Sequence, residues 1–212
     1  DMGTGLWTAL GVLAALRERD RTGKGTHLVT SLLDTAVSWM AYHVQGHLAT
    51  GDVPGPMGSG LAMIAPYQAF PTADRPVMIA AGNDGLFRRL CAALGLDDLA
   101  GDPRFASNAD RVARRDALAD RIAARTATLP AADLLDRLRD AGVPAAPIHD
   151  VAEVVRDPQV RATGIIRDAD HPAIPGYAEI APPLSFDGAR PGTRRPPPSR
   201  GAGEDVDWEP RN

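Results

Sequence analysis

The histidines are the side chains best suited to hold a metal ion. His43 and His47 stand four positions apart, so on a helix they would share one face, as zinc ligands can. They lack the glutamate of the metalloprotease pattern, and the sequence offers no third ligand beside them. His27, His149 and His171 stand singly, and a lone histidine is more often a hydrogen-bonded structural residue than a base. We therefore predict no metal site.

Two pairs of aspartates and one cysteine are the remaining candidates for side-chain chemistry. Asp97–Asp98 falls in a turn, and Asp136 with Asp140 lies among arginines on an amphipathic stretch, so solvated surface charge explains both pairs. Cys91 is the only cysteine, which excludes an internal disulfide, and its apolar neighbours indicate a buried core thiol. None of these residues is assigned a catalytic role.

Two glycine-rich segments differ in what they could bind. Thr22–Gly25, TGKG, is too short for a phosphate-binding loop, which needs a longer glycine stretch before its lysine and a helix after it. Gly55–Gly60, GPMGSG, is the stronger candidate, because glycines around Ser59 let backbone amides approach a ligand and let the loop move as a lid. A plain flexible connection explains this segment equally well, so both interpretations stay open from the residues alone.

The composition limits the class of protein. The 212 residues are 44% hydrophobic and 24% charged, enough for a packed domain or a domain with a second lobe. A net charge of −4 and an aromatic content of 5% argue against nucleic acid or an anionic membrane as a partner. The sequence shows no apolar run of about 18 residues and no signal peptide, so we expect a soluble, cytoplasmic protein.

Alternating helix and strand patterns must position these residues. Ser31, Asn83, Asn108 and Asp150 are predicted N-caps, and glycines follow several of the helices. Helices are expected over 6–16, 32–48, 85–94, 108–126, 131–141 and 150–156, strands over 27–30, 67–70, 77–81 and 165–168, and an extended segment over 182–188. This order predicts an α/β or α+β fold with a small helical lobe.

The first helix is apolar on nearly every side. Such a helix requires burial all round, and we therefore expect material upstream of Asp1 for it to pack against.

Several strings, taken in order, resemble the family III CoA-transferases, also called the CaiB–BaiF family. The resemblance covers roughly residues 1–200 and corresponds to the C-terminal half of that family. After Pro198 the chain reads SRGAGEDVDW, where family members usually carry a Gly-Glu-His segment and a last helix. The strings are DMGTG at 1–5, GVLAAL at 11–16, RERDRTGKG at 17–25, SLLDTA at 31–36, APYQAF at 65–70, GND at 82–84 with Phe87, DPRF at 102–105, Asn108 with Arg111, AGVPAAPI at 141–148, DPQV at 157–160 and PPP at 196–198.

The resemblance implies part of a two-domain α/β fold, with a Rossmann-like large domain and a small α+β lobe, in an interlocked homodimer. Residues 1–64 would form connecting helices and the glycine loop, continuing from a large domain upstream. Residues 65–147 would form the small lobe, 148–188 would return to the large domain, and 189–212 would be a tail rich in proline, arginine and glycine.

The resemblance also implies a reaction. Family members use an aspartate to attack an acyl-CoA thioester, and an aspartyl-CoA intermediate then passes CoA to a second, small carboxylic acid. The implied substrates are acyl-CoA and that acid, coenzyme A enters only as the thioester, and no metal is needed. The nucleophile would lie upstream of Asp1, so no catalytic residue is expected here. Gly58, Ser59 and Gly60 would bind substrate in the loop that covers the activated aspartate.

Two alternatives stay open. One is an enzyme similar to α-methylacyl-CoA racemase, against which Asn83 speaks because the racemases carry a glutamate there. The other is a catalytically empty fragment, which the absent nucleophile favours.

Overall fold

Helices predominate over short strands in the computed structural model, which describes residues 1–192 and 197–198. Most of the proposed 189–212 tail lies outside the described residues. The helices, in chain order, are α1 (Met2–Thr22), α2 (Leu32–Trp39), α3 (Ala41–Thr50), α4 (Asp84–Leu94), α5 (Asp97–Ala100), a 3-10 turn (Pro103–Phe105), α6 (Asn108–Ala113), α7 (Arg115–Thr126), α8 (Ala131–Asp140), α9 (Val151–Arg156) and α10 (Pro158–Ala162). The strands are β1 (Tyr67–Phe70), β2 (Val77–Ala80), β3 (Ala145–Pro147), β4 (Ile166–Asp168) and β5 (Ala178–Ile180).

Helix α1 is longer than predicted and ends at Gly23, whose positive φ of 71° suits a glycine at the end of a helix. It packs against α2 at one small residue: a Cβ on Gly3 would lie 2.4 Å from Cζ2 of Trp39. Gly3 is also the one α1 residue that is buried. The rest of α1 is partly or fully exposed, including large apolar side chains.

Two predictions for this region were wrong. The strand expected over 27–30 is an extended segment without a partner strand among the described residues; Leu28 packs on Gly11 of α1, and the Thr30 and Thr8 hydroxyls hydrogen-bond at 2.9 Å. The single helix expected over 32–48 is interrupted at Met40, directly after Trp39 packs over α1. In both places tertiary contacts with α1 override the local sequence preference.

The larger sheet has the antiparallel order β1-β2-β3, so β1 is an edge strand. The central strand β2 buries Val77 and Ile79 completely, as its alternation predicts. Strand β3 was not predicted, because Ala-Ala-Pro carries no strand signal of its own. A second sheet pairs β4 with β5, of which β5 was also not predicted.

The main hydrophobic core lies between Ala65 and Val143. Helix α4 turns Phe87, Leu90, Cys91 and Leu94 inward, a helical spacing of three and four residues. Helices α7 and α8 and the larger sheet complete this core. Of the predicted caps, Asn83 accepts from the Leu86 amide at 2.8 Å, and Ser31 and Asp150 also cap their helices.

The Asn108 cap was wrong. Ser107 is the N-cap of α6 and forms a capping box with Asp110, so the helix begins one residue earlier than expected. The predicted 108–126 helix is also interrupted at Arg114, which separates α6 from α7. The Asn108 side chain is consequently free to contact another part of the chain.

The segment expected to be extended over 182–188 ends in a turn at 187–188, so the prediction was wrong there. Phe186 pairs with Ala189 in an isolated bridge, and Asp187 adopts a positive φ of 49° between them. Asp-Gly at positions 187–188 is a common turn dipeptide, which explains the reversal.

Candidate functional site

The glycine loop, which is the glycine-rich segment Gly55–Gly60, folds into a tight turn at its tip. The Gly60 amide donates to the Met57 carbonyl at 2.9 Å, and Gly58 within this turn has a φ of 58°. The positive φ explains the need for glycine at position 58. At position 60 the constraint is space, because a Cβ would lie 3.1 Å from the Met57 carbonyl oxygen.

Ser59 fixes the loop to the edge strand of the larger sheet. Its hydroxyl oxygen accepts from the Ala69 amide of β1 at 3.0 Å, and Leu61 donates its amide to the Tyr67 carbonyl at 3.2 Å. The hydroxyl is therefore engaged in holding the loop. The Gly58 and Ser59 amides, like those of Gly55 and Met57, have no acceptor within the described part of the chain, so all four are loop donors available to a ligand.

Three side chains of α6 and α7 hold the chain directly after the loop. Arg115 donates to the carbonyls of Leu61, at 3.2 Å, and of Ala62. Asn108 brackets the next residues: its amide nitrogen donates to the Met63 carbonyl at 2.9 Å, and its oxygen accepts from the Ala65 amide at 3.2 Å. The loop thus ends at a segment fixed through side chains more than forty positions away in sequence.

Arg111 is a fully buried arginine between the loop segment and the core. Its Nε donates to the Ala65 carbonyl at 2.8 Å, and its Nη2 meets Oδ1 of Asp84 at 2.9 Å. Further donations reach the carbonyls of Phe105 and Gly82, and the guanidinium lies 4.6 Å from the centre of the Phe87 ring. Arg111 therefore joins the segment after the loop to the beginning of α4.

A cleft of about 340 Å³ separates the loop from α3. Its lining includes Gly55, Met57 and Gly60 from the loop and His43 from α3. The His43 ring has no hydrogen-bond partner among the described residues, whereas Nδ1 of His47 lies 3.0 Å from the Asp52 carbonyl oxygen. The two histidines that the sequence paired therefore differ: one is held by backbone, and the other faces the cleft.

The other polar candidates lie elsewhere. Asp98 pairs with Arg121 at 2.5 Å, which lowers the pKa of the Asp98 carboxyl, and Asp136 pairs with Arg139 at 2.7 Å. Cys91 lies in the core, and burial raises the pKa of its thiol to about 11. These groups have the environments of surface ion pairs and of a core thiol, as the sequence indicated.

Across 1–192 and 197–198, no group of three or more histidine, cysteine, aspartate or glutamate side chains is placed to hold a metal ion. No helix in the same residues is long and apolar enough to cross a bilayer.

Comparison with known proteins places the chain in a family. The family model described as CoA-transferase family III matches residues 1–204. The chain is 37% identical to the acetyl-CoA:oxalate CoA-transferase of Acetobacter aceti over 176 residues, which are 83% of this chain and 45% of the relative. It is also 37% identical to the succinate–glutarate CoA-transferase of Agrobacterium fabrum over 179 residues, again 83% and 45% of the two chains.

Solved structures support the same family assignment. A CaiB/BaiF family protein from Brucella suis superposes with a TM-score of 0.71 at 40% identity, covering 89% of this chain and 48% of that one. The Rv3272 protein of Mycobacterium tuberculosis superposes with a TM-score of 0.81 at 26% identity, covering 96% and 53%. The chain therefore belongs to CoA-transferase family III, and the resemblance seen in its sequence is confirmed. It spans about half the length of the relatives it matches.

Sequence reasoning missed the residues that hold the loop. The sequence predicted Asn108 to be a helix cap. It placed Arg115 only within the helix expected over 108–126, and Arg111 within that helix and, with Asn108, in the family resemblance. Their spacing of three and four residues was a usable signal, because on the single helix expected over 108–126 it would place all three on one face. Nothing in the sequence indicates that their acceptors lie at 61–65.

Proposed function

We propose that this chain contributes to the transfer of CoA from an acyl-CoA thioester to a small carboxylic acid. The observation that carries the proposal is the match to proteins named CoA-transferases along 83% of the chain. The loop offers the backbone amides of Gly58 and Ser59, and such donors can hold a carboxylate or a developing oxyanion.

We propose further that the reaction proceeds through an aspartyl-CoA intermediate whose aspartate lies outside this sequence. A carboxylate attacks the thioester carbonyl, CoA thiolate leaves and then returns to the resulting anhydride, and the acyl group departs as the free acid. The second acid attacks the aspartyl thioester, the thiolate leaves again and returns to the new anhydride, and the aspartate is regenerated. Atoms balance without an oxidant or a metal.

A small dicarboxylic acid is the substrate class we propose for the acceptor. The names of the relatives mention oxalate, glutarate, mesaconate and citramalate, all of which carry two carboxylates. A second carboxylate needs a donor away from the reacting centre, and the cleft beside the loop presents the unpartnered His43 ring. A racemase-like activity is the less favoured alternative, since the relatives cited here are named CoA-transferases.

We also propose a homodimer. Helices α1 to α3 leave large apolar side chains exposed, including Leu6 at 68% and Leu33 at 72%. Extensive exposed apolar surface is typical of a region that packs against another part of a protein or against a second copy. The mass of the protein in solution, measured by light scattering, tests this proposal; a monomer would contradict it.

The first experiment mixes the protein with acyl-CoA and a panel of monocarboxylic and dicarboxylic acids. Mass spectrometry follows the new thioester and any adduct on the protein. The 212-residue chain alone should show no transfer and no CoA adduct, whereas a protein that also contains the family's aspartate should transfer CoA to a dicarboxylic acid. A CoA thioester on a carboxylate of the 212-residue chain would contradict the placement of the nucleophile. Absence of transfer in the longer protein would contradict the function.

The second experiment tests the loop with Gly60→Val in the protein that carries the aspartate. Because the Met57 carbonyl already lies 3.1 Å from a Cβ at position 60, the branched side chain should disturb the turn. We expect a large fall in turnover and a larger share of hydrolysis, since water then reaches the thioester. Gly25→Val is the matched control, because a Cβ there meets nothing within 4 Å. Unchanged turnover and unchanged hydrolysis in a folded Gly60→Val protein would reduce the loop to a connection.

A further inference from the structure

The two ends of the glycine loop are held very differently. Within the described part of the chain, residues 53–56 make no hydrogen bond, and the Val53 side chain is 80% exposed. The other end is fixed at almost every residue. The carbonyls of 61, 62, 63 and 65 all accept from side chains, and the amide of 65 donates to one.

The donors for those carbonyls come from two consecutive helices, α6 and the first residue of α7. Asn108, Arg111 and Arg115 are three and four residues apart, and each turns toward the same short stretch of backbone. Two of them are arginines, which present several N–H donors in a fixed fork and accept nothing, so they suit a stretch of chain that offers carbonyls. Their hydrogen bonds are charge-assisted and stronger than those between neutral groups.

Ser59 extends this fixed region to the loop tip. Its hydroxyl accepts from the Ala69 amide at 3.0 Å, so the chain is held to β1 immediately after Gly58. Gly58, with its positive φ, stands at the boundary between the fixed and unfixed parts. Glycine at that boundary allows the backbone to rotate with little steric penalty.

We propose that Asn108, Arg111 and Arg115 are positioning residues for the glycine loop, which clamp residues 61–65 and so confine loop motion to residues 53–58. The proposal rests on the proposed function, because it assigns these residues to the loop of the transfer reaction. In that reaction, the clamp sets where the Gly58 and Ser59 amides stand, without touching substrate. Loss of the clamp should misplace those amides and let water reach the intermediate.

Hydrogen exchange with peptide-level mass spectrometry tests the clamp without any substrate. In the wild-type protein, the amides of 53–58 should exchange at least about tenfold faster than the amides of 60, 61, 64 and 65. Within the described part of the chain these four amides are hydrogen-bonded, and those of 53–58 are not. Arg115→Met should raise exchange in 60–65 by about tenfold or more, the loss expected when charge-assisted hydrogen bonds are removed. Arg115→Lys should lie between, since an ammonium reaches one carbonyl more readily than two.

Arg114→Met is the matched control. Arg114 is the exposed neighbour of Arg115, and its closest contacts are a 3.4 Å hydrogen bond and a 4.0 Å ion pair, both to Asp110. It should leave exchange in 60–65 unchanged. If Arg115→Met does not fold, Asn108→Asp replaces it, because a carboxylate keeps the acceptor for the Ala65 amide and loses the donor to the Met63 carbonyl.

A second readout separates positioning from plain stability. In the protein that carries the nucleophile, Arg115→Met should lower the ratio of transfer to hydrolysis, and Arg115→Lys should restore part of it. Equal exchange in 53–58 and 60–65 of the wild type, or unchanged exchange in a folded variant, would overturn the clamp. Raised exchange with an unchanged ratio would overturn the positioning role. If the wild type transfers no CoA, the proposed function fails, and the exchange data alone then decide the clamp.

Discussion

Arg111→Met is the substitution whose effect on folding follows most directly from the structure. Methionine keeps much of the apolar packing against Phe87 and removes every donor, so the change isolates the hydrogen bonds. The side chain is completely buried, and its nitrogens reach the carbonyls of Ala65 at 2.8 Å, Phe105 at 3.1 Å and Gly82 at 3.2 Å. These acceptors would be left without their donor.

The expected cost follows from how many of those acceptors water can reach. Ala65 and Phe105 are 3% and 4% exposed, and an unpaired buried acceptor costs about 1–3 kcal/mol. The Asp84 side chain is 49% exposed and can return to water, so its share is small. Two such acceptors together give about 2–6 kcal/mol, a range that includes the cost of removing one partner from a buried charge pair. Arg111→Lys keeps the charge and should lose roughly half as much, because it lacks the planar fork.

Urea unfolding followed by far-ultraviolet circular dichroism measures this free energy. Tryptophan fluorescence is a poor probe, because Trp7 and Trp39 lie on the N-terminal helices, outside the core that Arg111 supports. Arg114→Met is again the control and should change the free energy of unfolding by less than about 0.5 kcal/mol. A folded Arg111→Met protein that loses less than about 1 kcal/mol would refute the reasoning, because it would show that the buried carbonyls find other partners.

Three further predictions concern other parts of the chain. Arg75 donates to both Glu153 oxygens and holds the pKa of that carboxyl at about 2, below its ordinary 4.5. Because the pKa is lowered in the folded state, the ion pair stabilises the protein above pH 4.5 and this stabilisation is lost toward pH 2. The difference in Tm between wild type and Glu153→Gln should therefore close over that range, and a constant difference would contradict the prediction. A Cβ on Gly82 would lie 2.4 Å from Cγ2 of Ile64, so Gly82→Ala should lower the free energy of unfolding by about 1–3 kcal/mol. Adding Ile64→Ala should recover part of this loss, and strictly additive effects of the two substitutions in urea unfolding would refute the contact. The Cys91 thiol, buried and with a pKa raised to about 11, should react with a disulfide reagent at neutral pH only after unfolding, and rapid labelling of the native protein would contradict its burial.

The fold was predictable where short-range chemistry decides it. Asn83 and Asp150 were identified as caps because each precedes an apolar helical pattern, and Gly95 because glycine ends a helix in the left-handed region. The interruption at Met40 was not predictable, because no proline or glycine marks it. Strand β3 depends on its pairing with β2 rather than on Ala-Ala-Pro itself.

The candidate site was predictable to a smaller degree. The glycine spacing indicated a loop whose backbone can approach a ligand. The positive φ at position 58 explains why that residue is a glycine. The sequence could not separate it from Gly60, where space and not φ is limiting. Asn108 has the residue type of a cap, and only the neighbouring Ser107 shows why its side chain is available for the loop segment.

The edge strand limits how the glycine loop can move. Strand β1 has β2 on one side, and on the other its Tyr67 carbonyl and Ala69 amide are paired by Leu61 and Ser59. An unpaired strand edge exposes backbone groups to other chains, so lifting residues 59–61 would remove two hydrogen bonds and uncover the edge. Motion restricted to residues 53–58 avoids both costs. Covering the sheet edge and closing over a substrate are therefore compatible only if the loop divides near Gly58. Before it, residues 53–56 make no hydrogen bond within the described part of the chain, and after it Ser59 and Leu61 are held to β1.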